Sequence, residues 1–173
     1  STLIREKQAE ADLTRLAEQI EALLPEYRNG ISEDITDTVM PVLEIDGQDF
    51  LGLLEIPDYH VKLPVYANWD ANQRYFRPAR FTGSAYDGTL VIGGNYTDKQ
   101  FGFADEIDVG ADVIFTDMRG QRFYNTVIRI QHADDVETET LQSEEDALIL
   151  FVKGNDGYLI VHCAMRAHST LQQ

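Results

Sequence analysis

Few residues in this chain have the type and spacing for nucleophilic chemistry. Cys163 is the only cysteine, and His162 directly precedes it in YLIVHCAMR. A thiol attacks a carbonyl as the thiolate, and a free thiol is mostly protonated at neutral pH, so an adjacent base would matter. Residues 158–161 are apolar and read as a strand, however, and neighbouring strand side chains point to opposite faces. The two are therefore expected to diverge, leaving Cys163 as a small buried hydrophobe; it is a nucleophile only in a rearranged, exposed site. His60, His132 and His168 carry no ligand spacing. Lys153 closes the apolar run ALILFVK. An amine is nucleophilic when desolvated, and Gly154-Asn155 after it reads as a wet strand end. Asn95 closes the run TLVIGGN, where Gly93-Gly94 reads as a bend presenting a polar residue at the rim of a barrel.

The elements that position these residues follow from periodicity. Residues 2–24 form a helix, with Leu13, Leu16, Ile20, Leu23 and Leu24, plus Ala9 and Ala17, on one stripe, and Pro25 at its end. Packing of that stripe on the domain is expected, with a stalk or a coiled-coil partner as the alternatives. From residue 38 the pattern becomes short strands at 39–45, 50–56, 61–66, 90–92, 113–115, 121–131, 147–152 and 158–163. Asp46-Gly47 signals a hairpin, and Pro57 and Pro64 confine their segments to edges or strand starts. Residues 67–88 read as a long surface loop with one helical turn. About eight strands at this spacing predict an all-β barrel with one N-terminal helix. Residues 1–30 hold the helix and 31–173 the barrel domain.

Composition limits the partners. The formal net charge is -16, from 30 Asp+Glu against 14 Lys+Arg, which argues against nucleic acid or an anionic membrane face, since both need a basic footprint. One cysteine excludes an internal disulfide framework and a multi-cysteine metal site. No apolar run spans a bilayer and no signal peptide is present, so a membrane is reached only through an anchor lying before residue 1. Asp134, Asp135, Glu137, Glu139, Glu144, Glu145 and Asp146 crowd the segment 132–146 without the D-x-D-x-D-G spacing of a calcium loop; a solvated charge run is expected, with calcium as the alternative. No metal and no cofactor is expected. Tyr66, Trp69, Tyr75, Phe76 and Tyr86 line a peptide groove or fill the core of the long loop.

The order LGLLEIPDYHVKLPVY, TLVIGGNY, FGFADEIDVGADVIFTDMRGQRFYNTV, ALILFV and YLIVHCAMR resembles the sortases, cysteine transpeptidases that join surface proteins to the Gram-positive cell wall or to one another. The resemblance spans residues 38–166. It implies a closed eight-stranded barrel and an extracytoplasmic location. It also implies a histidine after an I-x-G strand end, a cysteine closing a T-L-x-T-C strand and an arginine on the next strand. Matched to these motifs, Asn95 stands at the histidine position, Lys153 at the cysteine position and Tyr158 near the arginine position. An amide exchanges no proton near neutrality, and an amine or phenol does not replace a thiolate or a guanidinium. The expectation is a sortase-like surface protein without transpeptidase activity, binding a sorting-signal-like peptide or a wall component. The alternative is an active transpeptidase or peptidase rearranged around Cys163. A purely structural role, with self-association through the helix, is a third reading; the oligomeric state is left open.

Overall fold

A computed structural model describes residues 2–24, 37–70, 77–95, 101–137, 143–154 and 156–166, with helix side chains described from Ala11 onward. Helix α1 (Thr2–Leu23) buries Leu13, Leu16, Ala17 and Ile20, spaced three, one and three apart, against strands β2 (Gln48–Ile56) and β3 (Val61–Tyr66). Glu21 pairs with Lys62 of β3 at 2.6 Å. Leu23 is exposed, and Leu24, four residues after Ile20, continues the stripe and packs against the core. Ala9, by its side chain, and Pro25 lie outside the described residues.

The strand expected at 39–45 is reduced to β1 (Leu43–Ile45). Pro41 has no N–H to donate, Val39 N is taken by Asp37 Oδ1, and Val39 and Val42 are exposed. Asp46 and Gly47 both have positive φ (52° and 78°), as the two-residue turn between Ile45 and Gln48 requires. The segment read as one long loop contains a short strand, β4 (Ala79–Thr82), and a 3-10 turn, Ala85–Asp87. Interrupted pairing hid it, since β3 meets β4 only at Tyr66–Ala79 and a bulge separates Arg80 from Thr82. Pro64 lies in mid-β3, opposite Leu53 of β2.

The remaining strands are β5 (Leu90–Asn95), β6 (Asp112–Asp117), β7 (Arg122–Ala133), β8 (Leu148–Gly154) and β9 (Gly157–Met165). The sheet order is β1-β2-β3-β4-β5-β8-β9-β7-β6, and β6 pairs back onto β2 from Gly52–Asp117 to Glu55–Ile114. That pairing closes a barrel of eight strands, with β1 appended to the edge of β2. Its interior is filled by alternate residues, among them Leu51, Leu53, Leu90, Ile92, Phe115, Leu148, Leu150, Val161 and Cys163, all buried. No helix among the described residues is long and apolar enough to cross a membrane.

Candidate functional site

Strand parity sorts the chemistry-bearing residues onto two faces. On β5, β8 and β9 the inner face carries Leu90, Ile92, Leu148, Leu150, Val152, Leu159, Val161 and Cys163, which belong to the main core. The outer face carries Val91, Ile149, Phe151, Ile160 and Tyr158, which form a second apolar cluster with Trp69, Phe81, Ala133 and Val136. Asn95, Lys153 and Tyr158 share this outer parity. They also share one row: Asn95 lies opposite Lys153 in the parallel β5–β8 pair, and Lys153 opposite Tyr158 in the antiparallel β8–β9 pair. Residues 95, 153 and 158, remote in sequence, thus end side by side at one rim. Lys153 is exposed and the other two are half-buried.

One row down, Gly93 lies opposite Phe151 and Phe151 opposite Ile160. The Phe151 ring is met edge-on by Trp69, Phe81 and Tyr158 at centroid distances of 5.3, 5.2 and 5.9 Å. A Cβ on Gly93 would stand 2.2 Å from Phe151 Cζ, and one on Gly94, facing inward, 2.7 Å from the Phe101 ring. The glycine pair is therefore no bend. The strand runs through both residues, neither has positive φ, and each admits an aromatic ring on its own side. Trp69 packs both in this outer cluster and against the main core. Tyr66 belongs to the main core, Tyr86 packs on Phe123, and Tyr75 and Phe76 lie outside the described residues.

Beside the row, a cavity of about 320 Å³ opens at the β8–β9 hairpin, lined by Asp105, His132, Val152, Asp156, Tyr158 and Leu159 among others. Asp105 and His132 carried no sequence signal for this place. His132 arrives through the pairing of β7 with β9, opposite Leu159, and Asp105 through the 3-10 turn Gly102–Asp105. Tyr59 holds the loop that follows, its hydroxyl donating to Glu106 O at 2.9 Å and accepting from Asp108 N at 3.1 Å. His60 caps the turn Pro57–Tyr59 in the left-handed region, and His168 lies outside the described residues. No group of three or more His, Cys, Asp or Glu arranged to hold a metal occurs among the described residues.

Cys163 and His162 do diverge. Cys163 is fully buried in the main core, and burial first, then the charge of Asp146, push its thiol up from its ordinary value of 9.0. That is the reverse of an activated nucleophile. His162, equally buried, faces outward beneath the chain that leads into β8. Its Nδ1 lies 3.0 Å from Asp146 Oδ2 and its Nε2 2.9 Å from Gln131 Oε1, with the Arg129 guanidinium 3.3 Å from the ring. Asp146 Oδ2 also accepts from Ser143 N at 2.9 Å. The acidic run is thus solvated at Asp134, Asp135, Glu137, Glu144 and Glu145, while Asp146 turns inward as an anchor; Glu139 lies outside the described residues.

This chain is similar in structure to solved sortases. Sortase A of Listeria monocytogenes matches 68% of this chain and 88% of its own, at 15% identity and a TM-score of 0.55. Sortase C1 of Streptococcus agalactiae matches 73% and 72%, at 17% identity and 0.59. A lid mutant of sortase A from Corynebacterium diphtheriae matches 95% and 97%, at 16% identity and 0.59. The fold is the sortase fold. No family model and no curated protein sequence matches the chain, so the likeness lies in the backbone. Within this sortase-fold barrel the row Asn95–Lys153–Tyr158 is made of an amide, an amine and a phenol. It can donate hydrogen bonds and offer an aromatic face, and it carries neither a thiol nor an imidazole.

Proposed function

We propose that this chain is a sortase-fold binding module of the cell surface that holds an extended peptide at the Asn95–Lys153–Tyr158 row and does not transfer acyl groups. The observation that carries the reading is the separation of faces: the row at the rim has no thiol, while the only cysteine is sealed in the core. Peptide carbonyls would accept from Asn95 and from the exposed Lys153, and an apolar side chain would rest against Tyr158 or enter the adjoining cavity. The partner is a sorting-signal-like peptide or a peptide of the cell wall. The protein works outside the cytoplasm. A transpeptidase rearranged around Cys163 needs an exposed thiol with a lowered pKa, and the burial of Cys163 opposes both requirements.

The test is to titrate a panel of labelled sorting-signal peptides into the protein and follow anisotropy, with an amine nucleophile present and products analysed. The expected result is reversible binding with no product, weakened about tenfold or more by Lys153→Ala or Tyr158→Ala and unaffected by Cys163→Ala. Turnover that Cys163→Ala abolishes would overturn the reading. So would binding indifferent to both row substitutions.

A further inference from the structure

We propose a second binding site at the opposite end of the barrel, for a small monocarboxylate with an apolar body. A cavity of about 200 Å³ lies where β5 and β8 begin, some five residues below Asn95 and Lys153, or about 17 Å along the strands. Leu90, Phe115 and Leu148 supply buried apolar lining, and Arg122, Arg166 and Gln121 supply polar groups. In a chain of net charge -16 this lining contains two arginines and no Asp or Glu. Arg122 forms an ion pair with Glu55 at 3.8 Å and Arg166 one with Asp112 at 3.9 Å, and both carboxylates stand outside the lining.

Two further observations point to a ligand. Gln121 Oε1 is buried with no hydrogen-bond partner among the described residues, a state native proteins avoid. Its amide group, turned over, would offer an N–H to one carboxylate oxygen while a guanidinium donates to the other. Tyr124 and Met165, both lining residues, are two of the few large hydrophobics left exposed, and an apolar ligand body would cover them. The size of the cavity limits that body to a short chain or a single ring. The site shares no residue with the Asn95–Lys153–Tyr158 row and stands or falls separately from it.

The chain has three methionines, Met40, Met118 and Met165, of which only Met165 lines this cavity. Carbon-13 methyl labelling of the full chain therefore gives one reporter and two controls, assigned with Met165→Leu. Straight-chain carboxylates from butanoate to octanoate would be titrated beside the alcohols of equal length. The expected result is a saturable shift of the Met165 methyl, with the alcohols binding about tenfold more weakly. Arg166→Gln should weaken the carboxylates by a similar factor and leave the alcohols unchanged. The Arg166 side chain is 47% exposed, so folding is not at stake in that variant. Ala147→Phe, which fills the lining, should abolish the shift for both series. No saturable shift at Met165, equal affinity for alcohols, or indifference to Arg166→Gln would each overturn the proposal.

Discussion

Replacing Gly93 with alanine is expected to lower the stability of the barrel by about 2–3 kcal/mol, read as a reduced urea midpoint at unchanged slope. The new Cβ would stand 2.2 Å from Phe151 Cζ, and that ring has nowhere to go, enclosed as it is by Trp69, Phe81 and Tyr158. Phe151→Leu alone should cost about 1–2 kcal/mol by leaving space in the outer cluster. The double variant should cost less than the sum, because each change makes room for the other, with a coupling of about 1–2 kcal/mol. Strict additivity would mean that the ring does not sit over Gly93. The same clash would tilt Tyr158, whose ring packs on Phe151, so peptide binding should weaken along with stability.

Asp117→Ala is expected to cost about 3 kcal/mol or more, because the fully buried Asp117 carboxyl serves three donors. Oδ1 accepts from Arg119 N at 2.9 Å and Gln121 N at 2.8 Å, which shapes the β6–β7 turn, and Oδ2 accepts from Tyr86 OH at 2.5 Å. This turn closes the hairpin whose β6 strand pairs with β2, so its loss reaches the closure of the barrel. Tyr86→Phe removes one of the three bonds and should cost about 1–2 kcal/mol. The bond also has a pH signature. Burial first, and then Asp117, raise the Tyr86 pKa from its ordinary value of 10.0, and burial raises Cys163 from 9.0. With folded values above unfolded ones, the stabilisation is complete below about pH 9 and declines as pH rises further, since the unfolded chain ionises first. Denaturation midpoints from pH 7 to 11 should therefore fall on the alkaline side, with a shallower limb above pH 10 in Tyr86→Phe. An identical limb in the variant would contradict the assignment.

The strands with clean alternation or long apolar runs were readable in the sequence, as were the Asp46-Gly47 turn and the helix stripe from Leu13 to Ile20, because each depends on local pattern. What was not readable depends on partners far along the chain. β4 pairs with β3 at one residue and carries a bulge, so four residues had to be recognised without periodicity. Gly93 and Gly94 looked like a bend because nothing local announces that Phe151 and Phe101 will occupy their missing side chains. Asp146 looked like one more surface charge, and only the strand parity of His162 brings a buried partner to it. In the proposed peptide row, separate motifs pointed to Asn95, Lys153 and Tyr158 one by one. Their shared row is a property of register, as is the arrival of His132 beside Tyr158.

The separation of faces is tested most directly by thiol labelling of the native protein and of Lys153→Cys. The native chain should take up no reagent until it unfolds, because its only cysteine is fully buried. Lys153→Cys should take up one equivalent quickly, because residue 153 is exposed at the rim. Rapid labelling of Cys163 in the native chain would place a reactive thiol on the surface and contradict the account of this barrel as one that binds without cutting.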